Sequence, residues 1–311
     1  MLIAENIIKK YSNHTALDDV SISVSEGCIY GLLGPNGAGK TSLIRIINQI
    51  TAPDSGNIFI KGEKLSSKHI HQIGYLPEER GLYKKMAVGE QVLYLAQLKG
   101  MKRHDALVRL KYWFEKFEIQ SWWSKTVEEL SKGMQQKVQF IATILHEPKL
   151  IILDEPFSGF DPINTNILKK EIIELKDKGA TIIFSTHNMT SVEEICDYIS
   201  LINKSKKIIE GDINSIRNKY ARNIYDIEFT GYYNKIELSQ TSDYKIIEID
   251  DSENFGKIKL ELINNNISNN DLLKRMISIG AIRTFQKHLP SMNDIFINLV
   301  ENKYKTIANN E

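Results

Sequence analysis

The stretch Gly34-Pro35-Asn36-Gly37-Ala38-Gly39-Lys40-Thr41, followed by Ser42, decides how this chain folds. It fits the phosphate-binding pattern G-x-x-x-x-G-K-[ST] without a gap. Residues 28–33 before it form a short apolar run typical of a buried parallel strand, and residues 42–49 after it have the apolar content of a helix. Strand, tight loop and helix are the context that the pattern requires, so we expect this stretch to hold a polyphosphate.

The residue types of this loop suit that chemistry. Its glycines allow backbone N–H groups to turn toward phosphate oxygens, and the start of the following helix adds a partial positive charge. We expect Lys40 to contact the outer phosphates and Thr41 to place its hydroxyl on Mg²⁺. A glycine-rich turn with an exposed lysine is the structural alternative, but such a turn does not need the Lys-Thr pair at this spacing.

The composition limits the possible partners. Lys+Arg number 40 and Asp+Glu 39, so a formal charge of +1 gives no support to a nucleic-acid partner. Two cysteines suit a reducing compartment better than a disulfide framework. The first residues meet a charge too early for a signal peptide, and no apolar run approaches the ~18 residues that span a bilayer. We therefore expect a cytoplasmic protein that reaches a membrane only through a partner.

Apolar patterning along the first 219 residues predicts an α/β core. Residues 149–153 and 181–185 are further buried-strand candidates that alternate with helical patterns, which indicates a mainly parallel sheet. Residues 2–8 and 20–24 alternate between apolar and polar side chains, as an antiparallel β flank does. From about residue 86 to 146 the pattern is helical, and it predicts a helical insertion between core strands.

The composition changes near Tyr220. Residues 223–262 are rich in Ile, Tyr, Lys, Glu and Asp in alternating runs, and helical patterns follow an asparagine-rich turn at residues 264–270. The chain therefore predicts two domains, residues 1–219 and residues 220–311. The second is a small α+β domain that contains no residue cluster with catalytic spacing.

Two carboxylates, Asp154 and Glu155, end the apolar strand at residues 149–153, where an open α/β sheet binds ligands. Taken alone, such a pair can be a helix-cap signal. Together with the phosphate loop, it predicts that Asp154 orders Mg²⁺ with Thr41 and that Glu155 polarises an attacking water. His187 follows the strand at residues 181–185 and is either a satisfied loop residue or a contact to a γ-phosphate.

These residues occur in the order found in one known family. Beyond the Walker A loop at 34–41 and the Walker B end at 153–155, residues 130–136 (LSKGMQQ) resemble the signature L-S-G-G-Q. Residues 158–161 resemble a D-loop, and His187 resembles the switch histidine. Across about 220 residues the sequence is similar to the ATP-binding subunit of an ABC transporter, with a P-loop NTPase core.

The resemblance implies further site residues and partners. Tyr11 falls where the family stacks an aromatic ring on adenine, and Asp161 of the D-loop joins the nucleotide contacts. Ser131 and Gly133 are the residues that approach the γ-phosphate held by a second subunit. The implied assembly is a head-to-tail pair of ATP-binding subunits, favoured as a homodimer, on the inner face of the cell membrane beneath an integral membrane permease.

The sequence departs from the common family pattern at two places. Lys132 and Met134 replace a glycine and a glutamine of the signature, and Glu78 stands where most relatives have a glutamine that senses Mg²⁺. Carboxylate oxygen also binds Mg²⁺, so we expect Glu78 to be a metal ligand. Both departures, with the tail at residues 290–296, resemble the branch that pairs with separate export permeases, including the sodium-extrusion type.

Three functions agree with these features to different degrees. The first is an ATPase that energises export, of sodium or of a drug or other small molecule, through a separate permease. The second is a soluble ABC ATPase that acts on ribosomes or DNA, although such proteins usually carry two nucleotide domains or a long coiled coil. The third is a nucleotide-dependent binding module without turnover, which Glu155 and His187 argue against.

Overall fold

The computed structural model describes residues 1–79, 81–239, 241–252, 255–264 and 266–299. The chain divides into two compact units, Met1–Ile213 and Asn214–Glu311. The division falls close to the predicted boundary between residues 219 and 220, and that boundary stays a prediction. In the part of the chain that the structure describes, no helix has the length and apolar character needed to cross a membrane.

The described residues of the first unit form ten strands. They are β1 (Leu2–Tyr11), β2 (His14–Val24), β3 (Ile29–Leu33), β4 (Ser55–Ile60), β5 (Glu63–Lys64), β6 (Ile73–Leu76), β7 (Leu150–Asp154), β8 (Thr181–Thr186), β9 (Tyr198–Asn203) and β10 (Lys206–Asp212). Its helices are α1 (Lys40–Ile47), α2 (Ser67–Ile70), α3 (Val88–Leu98), α4 (Arg103–Lys116), α5 (Lys132–Ile144), α6 (Pro162–Asp177) and α7 (Met189–Ile195).

A six-stranded sheet in the order β10-β9-β3-β8-β7-β6 forms the centre of this unit. Neighbouring strands from β9 to β6 are parallel, and β10 alone pairs antiparallel with its neighbour. Every residue of β3, β7 and β8 is buried. Such continuous apolar strands are stable only where both faces of a parallel sheet are covered. The predicted mainly parallel α/β core is confirmed.

The second sheet, β2-β1-β4-β5, is antiparallel throughout, as predicted for the flank. One hydrophobic core joins this sheet to the central sheet. That core includes Leu2 and Val20 from the flank, Leu43 and Ile47 from α1, and Ile152 from the central sheet. Helix α1 therefore packs its apolar face in the core, and the loop before α1 is held between two rigid layers.

Helices α3, α4 and α5 lie between β6 and β7 in the chain and form the predicted helical insertion. Aromatic side chains pack inside it: Phe114 and Trp123 make an edge contact at 5.4 Å between ring centres, and Trp113 contacts Phe117 at 5.8 Å. Trp113 is buried. These tryptophans stabilise the insertion by packing.

The second unit begins within α8 (Ile213–Tyr220), and its described residues form one antiparallel sheet. Its elements are β11 (Ile224–Tyr233), α9 (Lys235–Ser239), β12 (Tyr244–Ser252), β13 (Phe255–Leu262), α10 (Asn269–Ile279) and β14 (Gly280–Lys287), with a helical segment at residues 292–299. The strand order β12-β13-β11-β14 and the chain order βαββαβ are those of a ferredoxin-like fold. The expected α+β character is therefore present, and the predicted asparagine turn ends earlier because Asn269 and Asn270 begin α10.

Candidate nucleotide-binding and hydrolysis site

The phosphate loop crosses from β3 to α1 over residues 34–39 with a backbone that requires glycine at two places. Gly34 has φ +146° and Gly39 has φ +115°. A Cβ atom would lie 2.0 Å from the Ile202 carbonyl oxygen at Gly34 and 2.3 Å from the Ala16 carbonyl oxygen at Gly39. Because backbone lies directly behind both glycines, neither position has room for a side chain, and the loop packs closely against the sheets.

Lys40 begins α1 with its side chain inside the loop. Its Nζ donates hydrogen bonds to the carbonyl oxygens of Gly34 at 2.7 Å and Pro35 at 3.1 Å. Burial lowers the pKa of this ammonium group, while the carboxylates of Glu155, Asp154 and Glu78 oppose that shift. A cation held in the loop and facing carboxylates can move to a phosphate oxygen when one is present.

A cavity of about 430 Å³ opens in front of this loop. Its lining brings together most of the predicted site, namely Tyr11, His14, Ala16, Asn36, Gly37, Ala38, Gly39, Lys40, Thr41, Ser42, Glu78, Asp154 and Glu155. The Tyr11 side chain is exposed at the end of β1, and Lys9 Nζ lies 5.4 Å from its ring centre. An exposed aromatic face beside a phosphate loop is available for stacking on a purine.

Asp154 is the last residue of β7 and has an unusual environment. It is 1% exposed, and neither carboxylate oxygen has a hydrogen-bond partner among the residues that the structure describes. Burial raises the pKa of Asp154, and the nearby hydroxyls of Ser185 and Thr41 only partly oppose this. A buried carboxylate without a partner is costly unless a ligand completes it. Asp154 and the Thr41 hydroxyl therefore fit a hard cation such as Mg²⁺.

The protein alone does not complete such a site. Within the described ranges, no group of three or more His, Cys, Asp or Glu side chains is arranged to hold a metal. Mg²⁺ usually keeps several waters and takes one or two carboxylates together with substrate phosphates. The donor set here agrees with a metal that arrives with, or is completed by, a phosphate ligand.

Glu155 follows directly and is held by the end of β8. Its carboxylate accepts hydrogen bonds from Thr186 Oγ1 at 3.0 Å, from the backbone N–H of His187 at 2.9 Å, and from His187 Nδ1 at 2.6 Å. Glu155 itself has φ +48°, a left-handed conformation that is unfavourable for a residue with a Cβ. The turn after β7 thus directs the carboxylate into the cavity, beside the phosphate loop.

Glu78 is an exposed residue after β6 that lines the same cavity. Its charge contributes to raising the pKa of Asp154. The cavity therefore carries three carboxylates against the single ammonium of Lys40. A site with this charge favours a divalent cation, and a glutamine at position 78 would supply an oxygen without the charge.

The signature residues and Asp161 lie outside the cavity in front of the phosphate loop. Ser131 caps α5 by accepting a hydrogen bond from Met134 N at 3.3 Å, and Asp161 caps α6 by accepting one from Asn164 N at 2.9 Å. Together with Gly133 they line a separate cavity of about 470 Å³. Within one chain, Ser131, Gly133 and Asp161 therefore do not meet the phosphate loop, whereas the other predicted residues lie at or beside it.

Sequence reasoning did not include some residues of the site. Thr186 holds Glu155, and its position as the last residue of β8, directly before His187, was a usable signal. His14 and Ala16 reach the cavity from the hairpin between β1 and β2. No pattern marked them, because they enter the site only through the packing of the flank against the loop.

Comparison with known proteins agrees with this geometry. One family model, described as ABC transporter, matches residues 17–158, and another, described as the C-terminal domain of DrrA1-3-like ATP-binding proteins, matches residues 211–300. The chain is 38% identical over 310 residues to YhaQ of Bacillus subtilis (strain 168), an uncharacterized ABC transporter ATP-binding protein, covering 98% of this chain and 100% of the relative. The chain therefore belongs to the ABC transporter ATP-binding proteins.

Two other similarities add detail. The chain is 34% identical over 214 residues to the linearmycin resistance ATP-binding protein LnrL of Bacillus subtilis (strain 168), covering 68% of this chain and 69% of LnrL. A solved ATP-binding subunit of an ABC transporter matches with a TM-score of 0.66 at 32% identity, covering 71% of this chain and 93% of that chain. The family and the P-loop fold class predicted from sequence are confirmed.

Proposed function

We propose that this chain is the ATP-hydrolysing subunit that energises export by a separate membrane permease. The observation that carries the proposal is the joint placement of the glycine loop, the unpartnered Asp154 and the positioned Glu155 around one cavity. A site that only bound nucleotide would not need a carboxylate such as Glu155 to accept a proton from water. It would also not need a side chain such as His187 to orient that carboxylate.

The residues divide the chemistry between them. The loop N–H groups and Lys40 bind and orient the phosphates, while Tyr11 stacks on the adenine. Asp154, Thr41 and Glu78 hold Mg²⁺, which when bound neutralises charge on the phosphates. Glu155 accepts a proton from the attacking water as the bond between the γ-phosphorus and the bridging oxygen breaks, and ADP leaves. His187 keeps the Glu155 carboxylate aimed at that water.

The separation of the two cavities supports a role for a second subunit. Ser131, Gly133 and Asp161 line a polar cavity that lies apart from the phosphate loop of their own chain. In a head-to-tail pair, the signature cavity of one chain would cover the nucleotide of its partner. ATP then holds the pair together, and loss of the γ-phosphate releases it and moves the permease. We favour two identical chains.

Export is the direction that best suits the relatives. LnrL is a linearmycin resistance ATP-binding protein, and resistance to a compound is consistent with removal of that compound from the cell. We therefore propose a small molecule such as a drug, or sodium, as the exported species. The chain acts at the inner face of the membrane through its permease, and nucleic acid is not part of the reaction.

A reconstitution experiment tests this function. The chain is purified alone and together with candidate multi-span permeases, and phosphate release from Mg-ATP is measured. We expect one permease to copurify with the chain and to change its rate, and Lys40→Ala to lower that rate by about 10²-fold or more. The exposed Lys170→Ala is the matched control. Hydrolysis that responds to ribosomes or DNA instead of a permease would contradict the proposal.

A further inference from the structure

An apolar cavity of about 450 Å³ lies where the helical insertion meets the core of the first unit. Tyr112 and Trp113 of α4 contribute one wall, and Leu175 of α6 contributes another. Lys149 and Ala180 line it from positions just before β7 and β8. Because β3, β7 and β8 run parallel, this cavity is at the opposite edge of the sheet from the phosphate loop.

The lining has the character of a small-molecule site. Trp113 is 9% exposed, and Ile144 and Ile151 are fully or almost fully buried, so these side chains offer an apolar surface deep in the cavity. The rings of Tyr112 and Trp113 meet edge to face at 5.6 Å, and both side chains line the cavity. Ligand cavities typically measure about 300–1,000 Å³ and combine apolar walls with a few polar groups.

The positively charged side chains at the rim of the cavity differ in whether they already have an ion-pair partner. Three cations line the cavity, and two of them are already paired: Arg109 with Glu147 at 2.9 Å, and Lys178 with Glu174 at 2.7 Å. Lys149, the third, is exposed and forms no ion pair among the described residues; it acts only at longer range on Glu26, whose own ion-pair partner is Lys61. The cavity therefore presents one cation that is available to a ligand.

We propose that this cavity binds a small organic anion with a flat apolar body, whose charge is recognised by Lys149. The body lies against Trp113 and the buried isoleucines, and the acidic group stays at the rim, where it remains partly hydrated. A neutral molecule of the same shape gains the apolar contacts and loses the contact to Lys149. The charge is therefore the specificity determinant.

Binding here also joins two parts of the unit. Helix α4 belongs to the helical insertion and α6 to the core, and the ligand contacts both. Beside the cavity, Lys116 of α4 already crosses the same gap to Glu171 and Glu174 of α6 at 2.7 and 2.6 Å. A molecule in the cavity adds a second link, so we expect it to raise the melting temperature of the unit.

Two dyes that differ by one charge test the proposal on the full chain. They are 8-anilinonaphthalene-1-sulfonate and its neutral counterpart N-phenyl-1-naphthylamine, and their binding is followed by fluorescence. We expect one saturable sulfonate site per chain and a rise in melting temperature of about 5 °C at 100 times the Kd. Lys149→Gln should weaken sulfonate binding about tenfold, with little change for the neutral dye.

Two substitutions of opposite charge at one rim position give a sharper comparison. Val108 lines the cavity and is 57% exposed, so neither Val108→Glu nor Val108→Lys should disturb folding. We expect Val108→Glu to weaken sulfonate binding severalfold and Val108→Lys to strengthen it. Leu98→Glu is the matched control, because Leu98 is equally exposed but lines a different groove.

Three results would overturn the proposal. The first is equal sulfonate affinity in Val108→Glu and Val108→Lys. The second is loss of sulfonate binding in Leu98→Glu, which would place the dye in the groove beside α3. The third is binding that does not saturate at one dye per chain or leaves the melting temperature unchanged, as adsorption to the surface would. None of these readouts depends on ATP hydrolysis.

Discussion

At the scale of single residues, the surrounding structure constrains both the backbone and the side chain of Glu155. Its left-handed φ of +48° costs on the order of 1 kcal/mol for a residue with a Cβ. Its carboxylate accepts hydrogen bonds from Thr186 and twice from His187. A strained backbone conformation persists only where neighbouring contacts hold the residue in place. Here those contacts keep the Glu155 carboxylate directed at the phosphate cavity.

Glu155→Gln tests the proton-accepting role. The amide has nearly the same shape but cannot accept the proton of the attacking water, so we expect kcat to fall by roughly 10²–10⁴-fold. Nucleotide affinity should stay within about threefold, since the loop and Lys40 are untouched. Stopped-flow phosphate release and equilibrium ATP binding separate the two quantities. The exposed Glu115→Gln is the control, and a wild-type rate in Glu155→Gln would remove the catalytic assignment.

Glu78 stands where the resemblance to the family leads us to expect a glutamine. An amide oxygen can replace a carboxylate oxygen on a metal, so Glu78→Gln should keep Mg-ATP binding and substantial hydrolysis. Glu78→Ala removes the oxygen and should uncouple hydrolysis from the permease. ATPase and transport assays with the neighbouring Glu79→Ala as control test this. Identical behaviour of Glu78→Ala and the wild type would make Glu78 a surface carboxylate only.

At the scale of elements, one ion cluster fastens the helical insertion to the core. Lys116 of α4 donates to Glu171 and Glu174 of α6 and lies 5.2 Å from the Trp113 ring centre. Burial opposes the charge of Lys116, but the two carboxylates more than offset this and raise its pKa. Hydrogen bonds from Lys116 and Lys178 lower the pKa of Glu174 to about 2. The cluster therefore contributes stability as long as Glu174 is ionised.

Lys116→Met should destabilise the first unit by about 1–3 kcal/mol at pH 7, because the ion pair between Lys116 and Glu171 is partly buried. The folded pKa of Glu174 is below its unfolded value of about 4.5, so its contribution is complete above that value. It is lost as the pH falls from about 4.5 toward 2. The difference in melting temperature between the wild type and Lys116→Met should shrink over that window.

The control for this prediction lies on the same helix. Lys111 is exposed and forms no ion pair within the described ranges, so Lys111→Met should leave both stability and its pH dependence nearly unchanged. If the two variants behave alike at pH 7, the ion cluster does not fasten α4 to α6. Thermal unfolding followed by circular dichroism at several pH values provides the comparison.

At the scale of the whole molecule, we expect the nucleotide site to function without the second unit. Its hydrophobic core, which includes Ile227, Phe229 and Met276, consists only of residues from this unit. A chain that ends at Tyr220 should therefore still bind ATP within about threefold of the full-length affinity. Dimer control or coupling to the permease should suffer instead. A soluble, folded truncation that no longer binds ATP would show that the second unit supports the nucleotide site.

Association of two chains is the other prediction at this scale. Glu155→Gln retains ATP, so it should form an ATP-dependent dimer with twice the 35.6 kDa mass of one chain, while the wild type with ADP stays monomeric. Adding Lys40→Ala should abolish the dimer, since phosphate binding is lost. Light scattering with ATP and Mg²⁺ measures both. A Glu155→Gln chain that is inactive and ATP-bound yet monomeric would point to a different second subunit.

Much of this architecture was readable from local patterns. A few neighbouring residues are enough to recognise the uniformly apolar runs that form β3, β7 and β8. The same is true of the glycine loop. By contrast, β9 and β10 were not predicted, because lysines and serines interrupt residues 198–212. Their strand character depends on pairing with β3 and with each other.

The sequence by itself determined the chemistry that is available: a phosphate loop, two acidic residues at the end of an apolar strand, and a histidine at the end of another. Short-range patterns carry this information, because strand burial and loop conformation depend on adjacent residues. Only the tertiary structure decided the order of the strands, which places Asp154 beside Thr41 and Glu155 beside His187. It also separated Ser131 from the phosphate loop, because the distances between remote segments are set by packing.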